Sequence, residues 1–189
     1  MVALPAIVPS LVLGKDGAVA PSEKITVGFI GTGSHGIGYN LRAYLAQPDA
    51  RVLAVCDVDG DHMAEAKRQI DAKYGNADCA TTKDFRDILA RGDIDAVMIS
   101  TPDHWHVLMS VLALKAGKDV QCEKPTLTID EGKILVKTVR EHKKVFQTST
   151  EDRSVPGYHR MAELVRNGRI GKLQRIEVIL PKHPTYAGD

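Results

Sequence analysis

The sequence predicts an α/β protein built on a doubly wound parallel sheet, followed by the start of a second, α+β domain. Three observations carry that expectation. β-rich apolar runs alternate with amphipathic helical stretches from about residue 25 to about residue 150, the pattern of a parallel sheet with helices on both faces. Gly31, Gly33 and Gly36 stand in G-x-G-x-x-G spacing between the first such run and the first helix. Polar residues crowd the ends of the later apolar runs, where open parallel sheets bind their ligands.

Residues 25–30 read as a buried strand. Gly31 lets the chain turn sharply out of it, Gly33 leaves room for a pyrophosphate beside the backbone, and Gly36 lets the next helix pack close. Thr32, Ser34 and His35 complete the turn. The helix carries Ile37, Leu41, Tyr44 and Leu45 on one face, and its free N–H groups and positive dipole end suit phosphate. A second strand over 51–56 ends at Asp57. A carboxylate there accepts hydrogen bonds from both hydroxyls of an adenosine ribose and repels a 2′-phosphate, which predicts NAD rather than NADP. Asp57 and Asp59 equally suit a turn and a helix cap. Fingerprint and acid within one βαβ unit favour a Rossmann dinucleotide-binding sheet.

A helix over 59–74 stops at Gly75-Asn76, and a short helix is expected over 82–90 with Phe85, Ile88 and Leu89 inward. Residues 94–100 fit a strand buried on both faces, followed by a helix over 104–116 that Gly117 ends. A strand over 119–122, a helix over 128–142 with an acidic first turn and a basic last turn, and a strand over 144–150 complete the sheet. Beyond it come a helix over 158–167, closed by Gly168, and an alternating strand over 173–180. One helix and one strand do not make a domain. The expected organisation is a leader over 1–22, a Rossmann domain over 23–150, and the truncated beginning of a substrate domain over 151–189. An exposed sheet edge near 173–180 would invite homo-oligomers.

At 189 residues, 43% hydrophobic and 26% charged, the chain suits one large domain, or one domain plus a fragment. A net charge of +1 without a long basic run argues against nucleic acid as partner. Cys56, Cys79 and Cys122 are widely spaced and read as small buried hydrophobes. No apolar run reaches the roughly 18 residues of a membrane span. Residues 2–13 are apolar and precede Ala18-Val19-Ala20, like the tail of a secretory signal without its positive n-region.

Three strand ends hold the candidate chemistry: Thr101-Pro102-Asp103-His104-Trp105-His106, Glu123-Lys124-Pro125, and Thr148-Ser149-Thr150-Glu151-Asp152-Arg153. With the glycine fingerprint and Cys56-Asp57, the first two of these resemble the Gfo/Idh/MocA family of NAD(P)-dependent oxidoreductases. The leader and Asp103-His104-Trp105-His106 resemble an exported, twin-arginine-type branch. That implies a periplasmic location if an upstream twin-arginine signal exists, and a cytoplasmic one otherwise.

The resemblance implies hydride transfer between NAD and a sugar or polyol hydroxyl. Lys124 matches the family lysine that assists proton transfer, and a half-buried strand tip would tune it. Glu123 is similar to the acid that orients the cofactor side of its loop. Pro125 matches a proline often preceded by a cis bond. Thr101 and Pro102 would line the nicotinamide pocket, and His106 matches a histidine counted with Lys124 as catalytic. Arg153 resembles an arginine facing the substrate. Ser149 departs from the family, which often has glycine there, and the family's downstream D-x-x-x-H histidine is missing. Rival readings are a non-catalytic dinucleotide-binding module, S-adenosylmethionine as ligand, and a His104-x-His106 metal pair, for which no third ligand is evident.

Overall fold

The computed structural model of the protein describes residues 14 and 19–179; the leader-like stretch before Val19 otherwise lies outside them. The described residues up to Ser149 form one compact unit and those from Thr150 onward a second.

In the first unit six parallel strands lie in the order β3-β2-β1-β4-β5-β6. They are β1 Ile25–Ile30, β2 Ala50–Cys56, β3 Ala80–Thr82, β4 Ala96–Ile99, β5 Asp119–Cys122 and β6 Phe146–Thr148. The order reverses at β1, which pairs with both β2 and β4. Strand ends on the two sides of that switch point diverge and leave a crevice at the carboxyl edge. The helices are α1 Arg42–Ala46, entered through a π-helical stretch Gly36–Leu41, then α2 Gly60–Tyr74, α3 Phe85–Ala90, α4 Asp103–Lys115 and α5 Ile129–His142.

Alternation along the strands builds two apolar layers. Val27, Phe29 and Met98 pack with Leu41, Ala66 and Ile70 on one face. Ile30, Val97, Ile99 and Cys122 pack with Ile88, Leu114 and Leu135 on the other. Local chemistry sets the helix ends. Asp59 caps α2 by accepting from the N–H groups of Asp61 and His62, and Gly75 closes it at φ 68°. Thr128 and Glu131 form a reciprocal capping box on α5.

The sequence did not predict β3, and its expected helix over 82–90 begins only at Phe85. Thr82 pairs with Cys56 in the sheet, and Asp84 then caps the helix through the N–H of Arg86. In the second unit α6, Pro156–Arg166, ends before Gly168 as expected. The strand expected over 173–180 does not form over 173–179, where the chain is exposed. A ladder needs a neighbouring strand, and none of the described residues pairs with this segment.

All three cysteines are buried and free. Burial pushes the thiols of Cys56 and Cys122 up to about 12 and that of Cys79 to about 11. Only about one in a thousand or fewer is thiolate at pH 8, and the thiolate is the nucleophile. The native protein is therefore expected to react with a thiol reagent at pH 8 at least about 100-fold more slowly than the unfolded chain. Absorbance of the released chromophore checks this, and rapid labelling of the native protein counts against the buried assignment.

Candidate functional site

A cavity of about 740 Å³ runs along the crevice between the β2 and β4 ends, past the glycine turn. Gly31, Gly33, Ser34, His35, Gly36, Asp57, Thr101 and Pro102, all named as candidates from the sequence, line it.

The glycines divide the work as their spacing implied. Gly31 sits at φ +89°, and a Cβ there would stand 2.6 Å from the Ser100 carbonyl carbon. Its N–H donates to the Cys56 carbonyl at 2.8 Å, so the turn is pinned between β2 and β4. A Cβ on Gly36 would lie 2.5 Å from the Gly31 carbonyl oxygen, whereas one on Gly33 meets nothing within 4 Å. The turn is closed by its first and third glycines and open at its second. A phosphate needs that opening, because it approaches the bare backbone there.

Asp57 is more committed than the sequence implied. Its Oδ2 accepts from the Thr32 N–H at 2.6 Å and the Thr32 hydroxyl at 3.0 Å, and its Oδ1 accepts from the Asp59 N–H at 3.0 Å. A carboxylate offers about four lone-pair sites. Three are filled, which leaves one on Oδ1 for a ribose hydroxyl rather than a pair of them. Thr32 is fully buried and braces the turn from behind.

Glu123 is also buried behind the cavity wall. Its Oε1 accepts from Asn40 Nδ2 at 2.7 Å and lies 3.2 Å from His35 Nε2. Asn40 Nδ2 also donates to the Ser100 hydroxyl at 2.6 Å, and His35 stacks on Tyr39 with ring centroids 5.1 Å apart. Two residues earlier, on the same side of β5, Gln121 accepts from the Tyr44 hydroxyl at 2.6 Å. The glycine-rich helix is thus joined to β5 by polar side chains. Asn40 was readable as an odd polar residue inside an apolar stripe; its partners were not.

Two catalytic expectations need correction. His106 does not reach the cavity. It is fully buried, with Nε2 2.6 Å from the Thr101 carbonyl oxygen and Nδ1 3.0 Å from that of Lys124. Both nitrogens are thereby spent, so the His104-x-His106 pair forms no chelate. Lys124 is not half-buried. Its side chain is 76% exposed, and Nζ lies 3.4 Å from Asp103 Oδ1. Nor is the bond before Pro125 cis; no described peptide bond is.

The sequence missed the cavity's far end, where Val58, His62, Lys83 and Arg86 line it. The loop after β3 supplies Lys83 and the first turn of α3 supplies Arg86. Arg86 lies 5.0 Å above the Phe85 ring and is held by Asp84. No described helix is long and apolar enough to cross a membrane.

A glycine-rich helix entrance, open space at Gly33 and an acid at the second strand tip mark a class, the NAD-binding Rossmann domains of oxidoreductases. Residues 25–150 match a family described as "Oxidoreductase family, NAD-binding Rossmann fold". The chain belongs to that family, Gfo/Idh/MocA. A glycosyl hydrolase family 109 protein of Saccharopolyspora erythraea is 37% identical over 117 residues, which cover 58% of this chain and 24% of that one. Levoglucosan dehydrogenase of Pseudarthrobacter phenanthrenivorans is 30% identical over 156 residues, covering 80% of this chain and 39% of its own. Among solved structures, scyllo-inositol dehydrogenase of Lactobacillus casei with NAD(H) and scyllo-inositol superposes with a TM-score of 0.67 at 28% identity, covering 79% of this chain and 43% of that one. The chain therefore spans less than half the length of each of these proteins.

Proposed function

We propose that this chain is the dinucleotide-binding part of an enzyme that oxidises a hydroxyl of a sugar or cyclic polyol with NAD. The observation that carries this reading is the cavity itself. It is lined by the acid at Asp57, the opening at Gly33 and Thr101-Pro102 together, the set of contacts a ribose, a pyrophosphate and a nicotinamide would need. Relatives named for levoglucosan and inositol support the substrate class.

In this reading Ser34 and the backbone of the turn hold the phosphates, the remaining Asp57 lone pair takes a ribose hydroxyl, and Thr101 and Pro102 shape the far wall. Bound NAD supplies the hydride acceptor. Lys124 Nζ carries the proton that leaves the substrate hydroxyl. One observation favours a second reading, a binding module without turnover. Lys124 is exposed, with nothing among the described residues to exclude water from it.

The test mixes the intact protein with NAD or NADP and a panel of cyclic polyols, and follows reduced-nicotinamide absorbance. NAD is expected to bind more tightly than NADP, since Asp57 and Asp59 both line the ribose end, and at least one polyol is expected to reduce it. Tight binding without turnover for any polyol favours the module. Tighter binding of NADP overturns the role given to Asp57.

A further inference from the structure

The Lys124 side chain is exposed, yet the residues on either side of it are held. Just before it, Glu123 is buried and bonded to Asn40. Just after it, Thr126 sits at φ 71°, a conformation a β-branched residue adopts only when its surroundings impose it. Beyond that, the N–H groups of Leu127 and Thr128 donate to Glu131 Oε2 at 2.9 and 3.0 Å. Between the two brackets the Lys124 carbonyl oxygen lies 3.0 Å from His106 Nδ1.

We infer that His106 is a positioning residue, whose two ring nitrogens tie the Lys124 carbonyl to the Thr101 carbonyl and so fix where the lysine stands relative to the nicotinamide wall. The inference rests on the proton-carrying role proposed above for Lys124. An imidazole that merely filled core space would have no reason to reach two strand tips. This one spans 18 residues to one partner and 5 to the other, and its ring is fully buried. Ring geometry makes it a spacer of fixed length between the ends of β4 and β5. A neutral imidazole carries one N–H, so the tautomer decides which of the two carbonyls receives it.

The two bonds can be separated chemically. The Asn amide nitrogen occupies the place of Nδ1 and that of Gln the place of Nε2. His106→Gln keeps the Thr101 bond and loses the one to Lys124. Its kcat is expected to fall by up to about 100-fold, the scale of a misplaced reacting group, with NAD affinity little changed. His106→Asn keeps the Lys124 bond and is expected to recover at least about ten-fold of that loss. Equal losses in the two variants, or a loss confined to NAD affinity, overturns the inference. Nitrogen NMR of the wild-type imidazole tests it without turnover and without a variant that must fold. A slowly exchanging proton on Nδ1 is expected, and a bare Nδ1 overturns the inference. A wild type that oxidises no polyol sinks the reading of Lys124 instead.

Discussion

A Gly31→Ala protein is expected to lose about 2–5 kcal/mol of stability, the sum of a non-glycine residue at positive φ and of overpacking. The added Cβ would stand 2.6 Å from the Ser100 carbonyl carbon and 2.7 Å from both the Ser100 oxygen and the Thr101 nitrogen. These are backbone atoms of the neighbouring strand end, and no rotamer change relieves the contact. Either the turn leaves β1 differently or β4 moves, and both displace the cavity wall. Urea denaturation of the NAD-free protein reads the stability, and calorimetry with NAD reads the binding. Gly33→Ala is the internal control. Its Cβ meets nothing within 4 Å, so stability should stay within about 0.5 kcal/mol while NAD affinity falls because the methyl occupies the phosphate's approach. If Gly33→Ala bound NAD as the wild type does, the phosphate would not lie where the cavity places it.

The same glycines show what a linear sequence can reveal. Their spacing, the runs beside them and the acid at the second strand end are local, and backbone sterics alone give each a meaning. The parallel sheet followed from that. What stayed hidden depends on pairs far apart in the chain. Asn40 meets Ser100 across 60 residues and Glu123 across 83, and neither pairing leaves a local trace. Asp57 was legible as the acid at the strand tip, but not as a brace already holding Thr32. β3 is three residues long, too short to show a period. His106 is buried and Lys124 exposed, because burial beside a strand end is set by neighbours rather than by the residue. The segment over 173–179 alternates like a strand, yet alternation only makes a chain eligible for a ladder, and pairing completes it.

Lys124→Ala is expected to lower kcat by about 10²–10⁴-fold, the usual contribution of a positioned proton-transfer group, while stability and NAD affinity stay near wild type. The asymmetry follows from where the lysine sits. Its side chain is 76% exposed and its contact with Asp103 is 3.4 Å long, with that partner 52% exposed. An ion pair of that kind contributes about 0–1 kcal/mol, so truncation removes little that holds the fold together. Nor does it touch the turn, since the Lys124 backbone is fixed through Glu123 and His106 and its side chain does not line the cavity. A loss of turnover with an unchanged denaturation midpoint and unchanged NAD titration therefore isolates the proton step. If the variant oxidised polyol at the wild-type rate, Lys124 would be a solvated surface residue and the proton carrier would have to be sought elsewhere. If it lost NAD binding together with turnover, the braced loop would serve to close the cofactor cavity rather than to present a reacting group.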